Sequence, residues 1–153
     1  MTEWAGQPIP ELLTATDPAQ LAVVATVDPD GAPHAVPLWF RWDGSAILIW
    51  TGARRHWVRN LVHDRRVAVT VALDRDPFPG LIIRGTATVL GDGSATHPHE
   101  PVDVEIAAIT RRYIPSDGVD AYIASWPELR TIVRIVPERL HAWGTADAEA
   151  LPI

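Results

Sequence analysis

Ile49-Trp50-Thr51-Gly52-Ala53-Arg54-Arg55-His56-Trp57-Val58-Arg59-Asn60-Leu61 is the stretch on which the fold turns. Ile49, Trp50 and Thr51 suit the end of a strand, and Gly52-Ala53 suits a turn. Beyond the turn Trp57, Val58 and Leu61 recur at helical spacing, with Arg54, Arg55 and Arg59 around them. A strand that turns straight into a cationic helix start is a place to hold an anion. Backbone N–H groups at a helix N-terminus attract negative charge, and arginine adds a planar, permanently charged fork. Arg55 and Arg59 are four apart and share a helical face. The stretch predicts a strand over residues 46–51, a helix over residues 54–63 and a candidate phosphate site at their junction.

The flanking sequence supplies the rest of a sheet. Residues 21–27 read as a strand, Asp28-Pro29-Asp30-Gly31 as a turn, and residues 32–42 as a second strand. Asp43-Gly44 is a hairpin signal leading into the strand at 46–51. Downstream, residues 67–73 are β-branched and apolar and read as a fourth strand, followed by a loop over 74–80. Residues 81–90 form a fifth, in which Gly85 predicts a bulge or bend. Residues 91–100 read as a polar loop. Val102, Ile106, Ile109 and Tyr113 define one face of a helix over 101–112, and a second short helix covers 119–124. Residues 131–136 and 140–143 read as a closing strand pair split by Pro137. Residues 8–16 read as a short helix with Pro8 and Pro10 at its start, and 145–153 as a loosely held tail. Six or seven short strands joined mostly by tight turns predict a mainly β (α+β) antiparallel barrel with short flanking helices. Residues 1–153 make a single domain.

Composition narrows the function classes. The chain has 153 residues, 47% of them hydrophobic, enough for a core without covalent staples. It has no cysteine, which excludes disulfides and thiolate metal sites. A net charge of −6 argues against general nucleic-acid binding. No apolar run is long enough to span a bilayer, and Met1-Thr2-Glu3-Trp4 lacks a signal peptide's basic start, so a cytoplasmic setting is expected. The seven tryptophans suit a core, a dimer interface or a stacking surface for a planar ligand. His97-Pro98-His99-Glu100 has a metal-like composition without further ligands, and no metal site is assigned. His34 and His56 read as isolated, with no serine or cysteine nucleophile pattern beside them, and no catalytic residue is assigned. Gly91-Asp92-Gly93 lacks the third glycine of a dinucleotide fingerprint.

The order of motifs from residue 21 to residue 89 resembles the pyridoxamine-phosphate-oxidase-like superfamily of flavin-binding split β-barrels. The resemblance rests on the strand at 21–27, the turn at Asp30-Gly31 and Pro33-His34-Ala35-Val36-Pro37-Leu38-Trp39-Phe40. It continues with Asp43-Gly44, Arg59-Asn60-Leu61, Asp64-Arg65-Arg66-Val67 and Arg84-Gly85-Thr86-Ala87, then late in the chain Arg134-Ile135-Val136-Pro137 and Ala142-Trp143. It implies a homodimer with the cofactor in a groove between subunits. By this resemblance the cofactor ring approaches Pro37, Leu38 and Trp39 and the strand end at Trp50 and Thr51. Its phosphate approaches Arg54, Arg55 and a helix carrying Trp57, Arg59 and Asn60. Many relatives carry lysine at the position of Trp57, so Arg55, with help from Arg54, is left to supply the cation. The superfamily uses FMN or the deazaflavin F420. All thirteen basic residues here are arginine, which suits a GC-rich source where the F420 branch is common. The resemblance implies an F420-dependent oxidoreductase passing hydride to a small organic acceptor. The alternatives are an FMN-dependent oxidoreductase, a non-enzymatic flavin or haem carrier, and an interaction module that has lost the site. Read without the resemblance, the arginines suit a solvated helix face, the tryptophans core or interface, and Asn60 a helix residue bonded to backbone.

Overall fold

Alternation of buried and exposed positions builds the sheet. In β3 (Ala22–Val27) Ala22, Val24 and Thr26 point inward, and in β7 (Arg66–Ala72) Val67, Val69 and Val71 do the same. The computed structural model describes residues 3–4, 7–8, 11–14, 19–74, 78–90 and 100–144. The other strands are β1 (Glu3–Trp4), β2 (Gln7–Pro8), β4 (Pro33–Leu38), β5 (Arg41–Trp42), β6 (Ile47–Gly52), β8 (Gly80–Leu90) and β9 (Arg130–Trp143). The helices are α1 (His56–His63), α2 (Glu100–Thr110) and α3 (Val119–Ala124). The main sheet runs β4-β3-β7-β8-β9-β6-β5 with every pair antiparallel, while β1 and β2 form a separate ribbon. This is the split β-barrel with short helices that the sequence predicts.

The inward faces of β3, β6, β7, β8 and β9 enclose one core, capped by Trp57, Val58 and Leu61 of α1. Those three side chains each contribute about 1.5–3 kcal/mol by leaving water, which explains why so short a helix holds its place. β6 is buried at all six positions. Ile47 and Ile49 enter the barrel core, whereas Leu48 and Trp50 meet Ile106 and Ile109 of α2 on the other side. A strand covered on both faces reads as a continuous apolar run, as residues 46–51 do.

Three readings are corrected. The strand expected over 32–42 is two strands, β4 and β5. At the break Phe40 gives its N–H to the Tyr113 hydroxyl at 3.1 Å, and Arg112 donates to the Phe40 carbonyl. Backbone groups satisfied by side chains need no ladder. The closing pair expected around Pro137 is the single strand β9. Its ladder with β8 shifts register at Arg84/Gly85, leaving Glu138 as the extra residue beside Pro137. A bulge accommodates the donor that proline lacks. The helix expected over 8–16 is a single 3-10 turn, Glu11–Leu13, and Pro8 lies in the β1–β2 ribbon. The loop motifs at 91–99, including Gly91-Asp92-Gly93 and His97-Pro98-His99, and the tail at 145–153 lie outside the described residues.

Candidate functional site

The junction of β6 and α1 forms one wall of a groove of about 300 Å³. β4 supplies Val36, Pro37 and Leu38, followed by Trp39. The end of β6 supplies Trp50 and Thr51, the start of α1 supplies Arg55 and Trp57, and Tyr122 and Trp126 close it from α3 and the residues after it. Leu21 lines one side. The walls are mutually packed aromatics. Trp39 stacks on Tyr113 with centroids 4.9 Å apart and planes within 4°, and meets Tyr122 at 5.0 Å. Trp126 stands edge-on to Trp50 at 5.0 Å. The Trp50 indole N–H donates to the Thr110 hydroxyl at 3.1 Å, and that hydroxyl donates to the Ile106 carbonyl at 2.7 Å. Tyr113 ties the region together by donating to the Gln20 carbonyl at 2.7 Å, and burial raises its pKa. These bonds fix ring orientations before any ligand arrives.

Arg55 brings the charge to this apolar groove. Its guanidinium pairs with Glu128 at 2.6 Å and lies 5.6 Å over the Trp126 ring. The Glu128 carboxylate occupies the space where a side chain at position 52 would begin, so a larger residue there would push Glu128 aside. One ion pair engages part of a fork with five N–H donors and holds its direction. Trp57 is 2% exposed, and its indole N–H has no acceptor among the described residues. The Trp126 indole N–H is likewise buried without an acceptor there. Both indole nitrogens are packed inside the protein, as is that of Trp42, and left unpaired they cost free energy.

Of the ten expected cofactor residues, the structure gathers seven into the groove: Pro37, Leu38, Trp39, Trp50, Thr51, Arg55 and Trp57. Arg54 is exposed and lines a neighbouring recess of about 320 Å³ with Pro127, Glu128 and Leu129. Arg59 is exposed and does not line the groove, so the face shared with Arg55 does not converge on one anion. Asn60 is 3% exposed and faces β3, where its amide donates to Thr26 Oγ1 at 3.0 Å and Asp28 Oδ1 at 2.7 Å. Its partners are side chains, where backbone was expected. Leu21, Tyr122, Trp126 and Glu128 escaped the sequence reading. The available signal was the run of large aromatics Tyr113, Tyr122 and Trp126 around a helix too short to need them for its own packing.

His34 and His56 are not isolated. Their rings lie 4.6 Å apart, and His56 Nε2 meets Asp28 Oδ1 at 2.8 Å. Hydrogen bonds from His56 and Asn60 hold the Asp28 carboxyl below its ordinary pKa.

Solved structures place this geometry among known proteins. An F420 reductase superposes with a TM-score of 0.62 at 23% identity, covering 85% of this chain and 93% of its own. A conserved hypothetical protein from Mycobacterium tuberculosis gives 0.70 at 23% identity, covering 94% and 89%. The haem storage protein HutZ from Vibrio cholerae gives 0.64 at 16% identity, covering 87% and 91%. At such identities the likeness is one of fold. No curated protein matches the chain. The pyridoxamine 5'-phosphate oxidase profile matches residues 9–144, nearly the whole chain, and the protein belongs to that family.

Proposed function

We propose that the chain is an F420-dependent oxidoreductase that passes hydride to a small organic acceptor, working in the cytoplasm as a homodimer of one-domain subunits. The observation that carries this reading is the aromatic groove ending on Arg55. Its volume of about 300 Å³ sits at the lower end of ordinary ligand sites, and its lining suits a planar ring with a polar tail. The all-arginine composition, which suits a GC-rich source where the F420 branch is common, favours the deazaflavin over FMN, which is the alternative cofactor.

The deazaflavin, when bound, supplies the hydride chemistry; the chain supplies binding, orientation and exclusion of water. Pro37, Leu38, Trp39 and Trp50 would hold the ring, and Thr51 the adjoining edge. Arg55, steered by Glu128, would hold the phosphate, and Arg54 in its recess would meet the acidic tail beyond it. Haem is less well served. Among the described residues the groove lining holds no histidine, cysteine or methionine, and Tyr122 is the one side chain there of a type that ligates haem iron.

A homodimer with the cofactor between subunits would close the side of the groove at Leu21. The outer face of β3 and β4 favours it. Leu21 and Val23 are 46% and 41% exposed, and Ala35 and Pro37 stand opposite Ala25 and Val23 on the edge strand.

Titration of the purified protein with F420 and with FMN, followed by tryptophan quenching, tests the reading. Micromolar F420 affinity is expected. Arg55→Ala should weaken it at least about ten-fold while changing folding stability by less than about 1 kcal/mol, because the Arg55–Glu128 pair is solvent-exposed. Absence of micromolar binding by either cofactor overturns the proposal.

A further inference from the structure

We propose a second site, for a late first-row divalent metal ion of the zinc type, formed by Asp28, His34 and His56. The three residues come from different parts of the fold: Asp28 from the turn after β3, His34 from β4, His56 from the first position of α1. Their donor atoms all lie within 4.8 Å of one another. Two imidazoles and one carboxylate are a donor set that zinc, cobalt and nickel take in preference to magnesium or calcium. Ligand atoms around tetrahedral zinc stand about 3.3 Å apart, given bonds of about 2.0–2.2 Å. The His56–Asp28 pair, at 2.8 Å, is already tighter than that. His56 is 49% exposed at the side chain, so an ion has access.

The carboxylate is held in place from behind. Buried Asn60 donates to Asp28 Oδ1 at 2.7 Å and is itself placed by Thr26. Such a hydrogen bond orients a ligating carboxylate. An ionised carboxylate only accepts, so His56 carries its proton on Nε2 when paired with Asp28. Loading the ion moves that proton to Nδ1 and gives the Nε2 lone pair to the metal. A tetrahedral ion held by these three ligands would leave its fourth position to water. The ion joins the β3–β4 turn to the start of α1, one residue after Arg55. It depends on none of the groove-lining residues, so it stands or falls independently of the cofactor reading.

The test is calorimetric titration of untagged, EDTA-treated full chain, without cofactor, with zinc chloride at neutral pH. One zinc per chain at micromolar affinity is expected, with no heat from magnesium. His34→Gln and His56→Gln should each weaken zinc at least about ten-fold. The double variant His97→Gln/His99→Gln should bind as the wild type does. Cobalt(II) should give the visible absorption of a four-coordinate ion in the wild type and lose it in His34→Gln. The proposal is overturned if zinc fails to saturate in the micromolar range. Equal affinity in His34→Gln and wild type, or a loss confined to the His97/His99 variant, also overturns it.

Discussion

Asp64 ends α1 and immediately takes up Arg66. Its carboxylate accepts from the Arg66 backbone N–H at 3.0 Å and from the guanidinium at 2.6 Å. The Arg66 bonds hold the Asp64 carboxyl well below the ordinary 3.8, at about 2. A carboxyl depressed in the folded state stabilises above its unfolded pKa, and that contribution drains away as pH falls through the folded value. Asp64→Asn should therefore lower the urea midpoint near neutral pH and converge on wild type at about pH 2. A gap between the two curves that persists undiminished at that pH would refute the assignment. Residues with partners this local are the ones sequence reveals. Asp43, which accepts from the backbone N–H groups of Ser45 and Ala46, was readable as a turn for the same reason. Arg55 was half readable: its charge and place at a helix start follow from the sequence, but Glu128 lies far along the chain. Asn60 and His56 point the same way, since both find Asp28 only once α1 folds against β3.

The long β8–β9 pair turns a corner at Gly85. A side chain there would run into the Val136 carbonyl of the facing strand, so the position needs glycine for close approach. Gly85→Ala forces backbone of β9 to move and should cost about 1–3 kcal/mol, read as a lower urea midpoint with an unchanged slope. A variant as stable as wild type would mean that the ladder yields freely there. Gly85 was legible as a bulge because glycine inside an apolar strand has few other reasons. Pro137 was misread as a strand end because its tolerance depends on a bulge in β9 whose facing residue, Gly85, lies in another strand. The break at Trp39–Phe40 was hidden for a related reason: Tyr113 and Arg112 cause it from beyond α2.

At the scale of the molecule, α2 and α3 are inserted between β8 and β9 and bring Tyr113, Tyr122 and Trp126 to one end of the barrel. The groove also reaches Leu21, which leads into β3 and its outer surface shared with β4. There Val23 stands between Pro37 and Thr70, and Ala25 between Ala35 and Ala68, in a register that puts small and apolar side chains across three strands. β4 is also a sheet edge. An apolar face continued to an open edge is costly to leave in water, and a second copy of the chain is the occupant we propose for it. Val23→Arg tests this at low cost to folding. The side chain is 41% exposed in the single chain, so an arginine there should change stability by no more than about 0.5 kcal/mol. In a dimer the same arginine would lie desolvated against apolar neighbours without a partner charge. Sedimentation should show wild-type dimer and Val23→Arg monomer, with cofactor affinity falling alongside assembly because the groove loses its closing wall. A Val23→Arg protein that still sediments as a dimer, or a monomeric wild type with full cofactor affinity, would place the interface elsewhere and leave the groove sufficient within one chain.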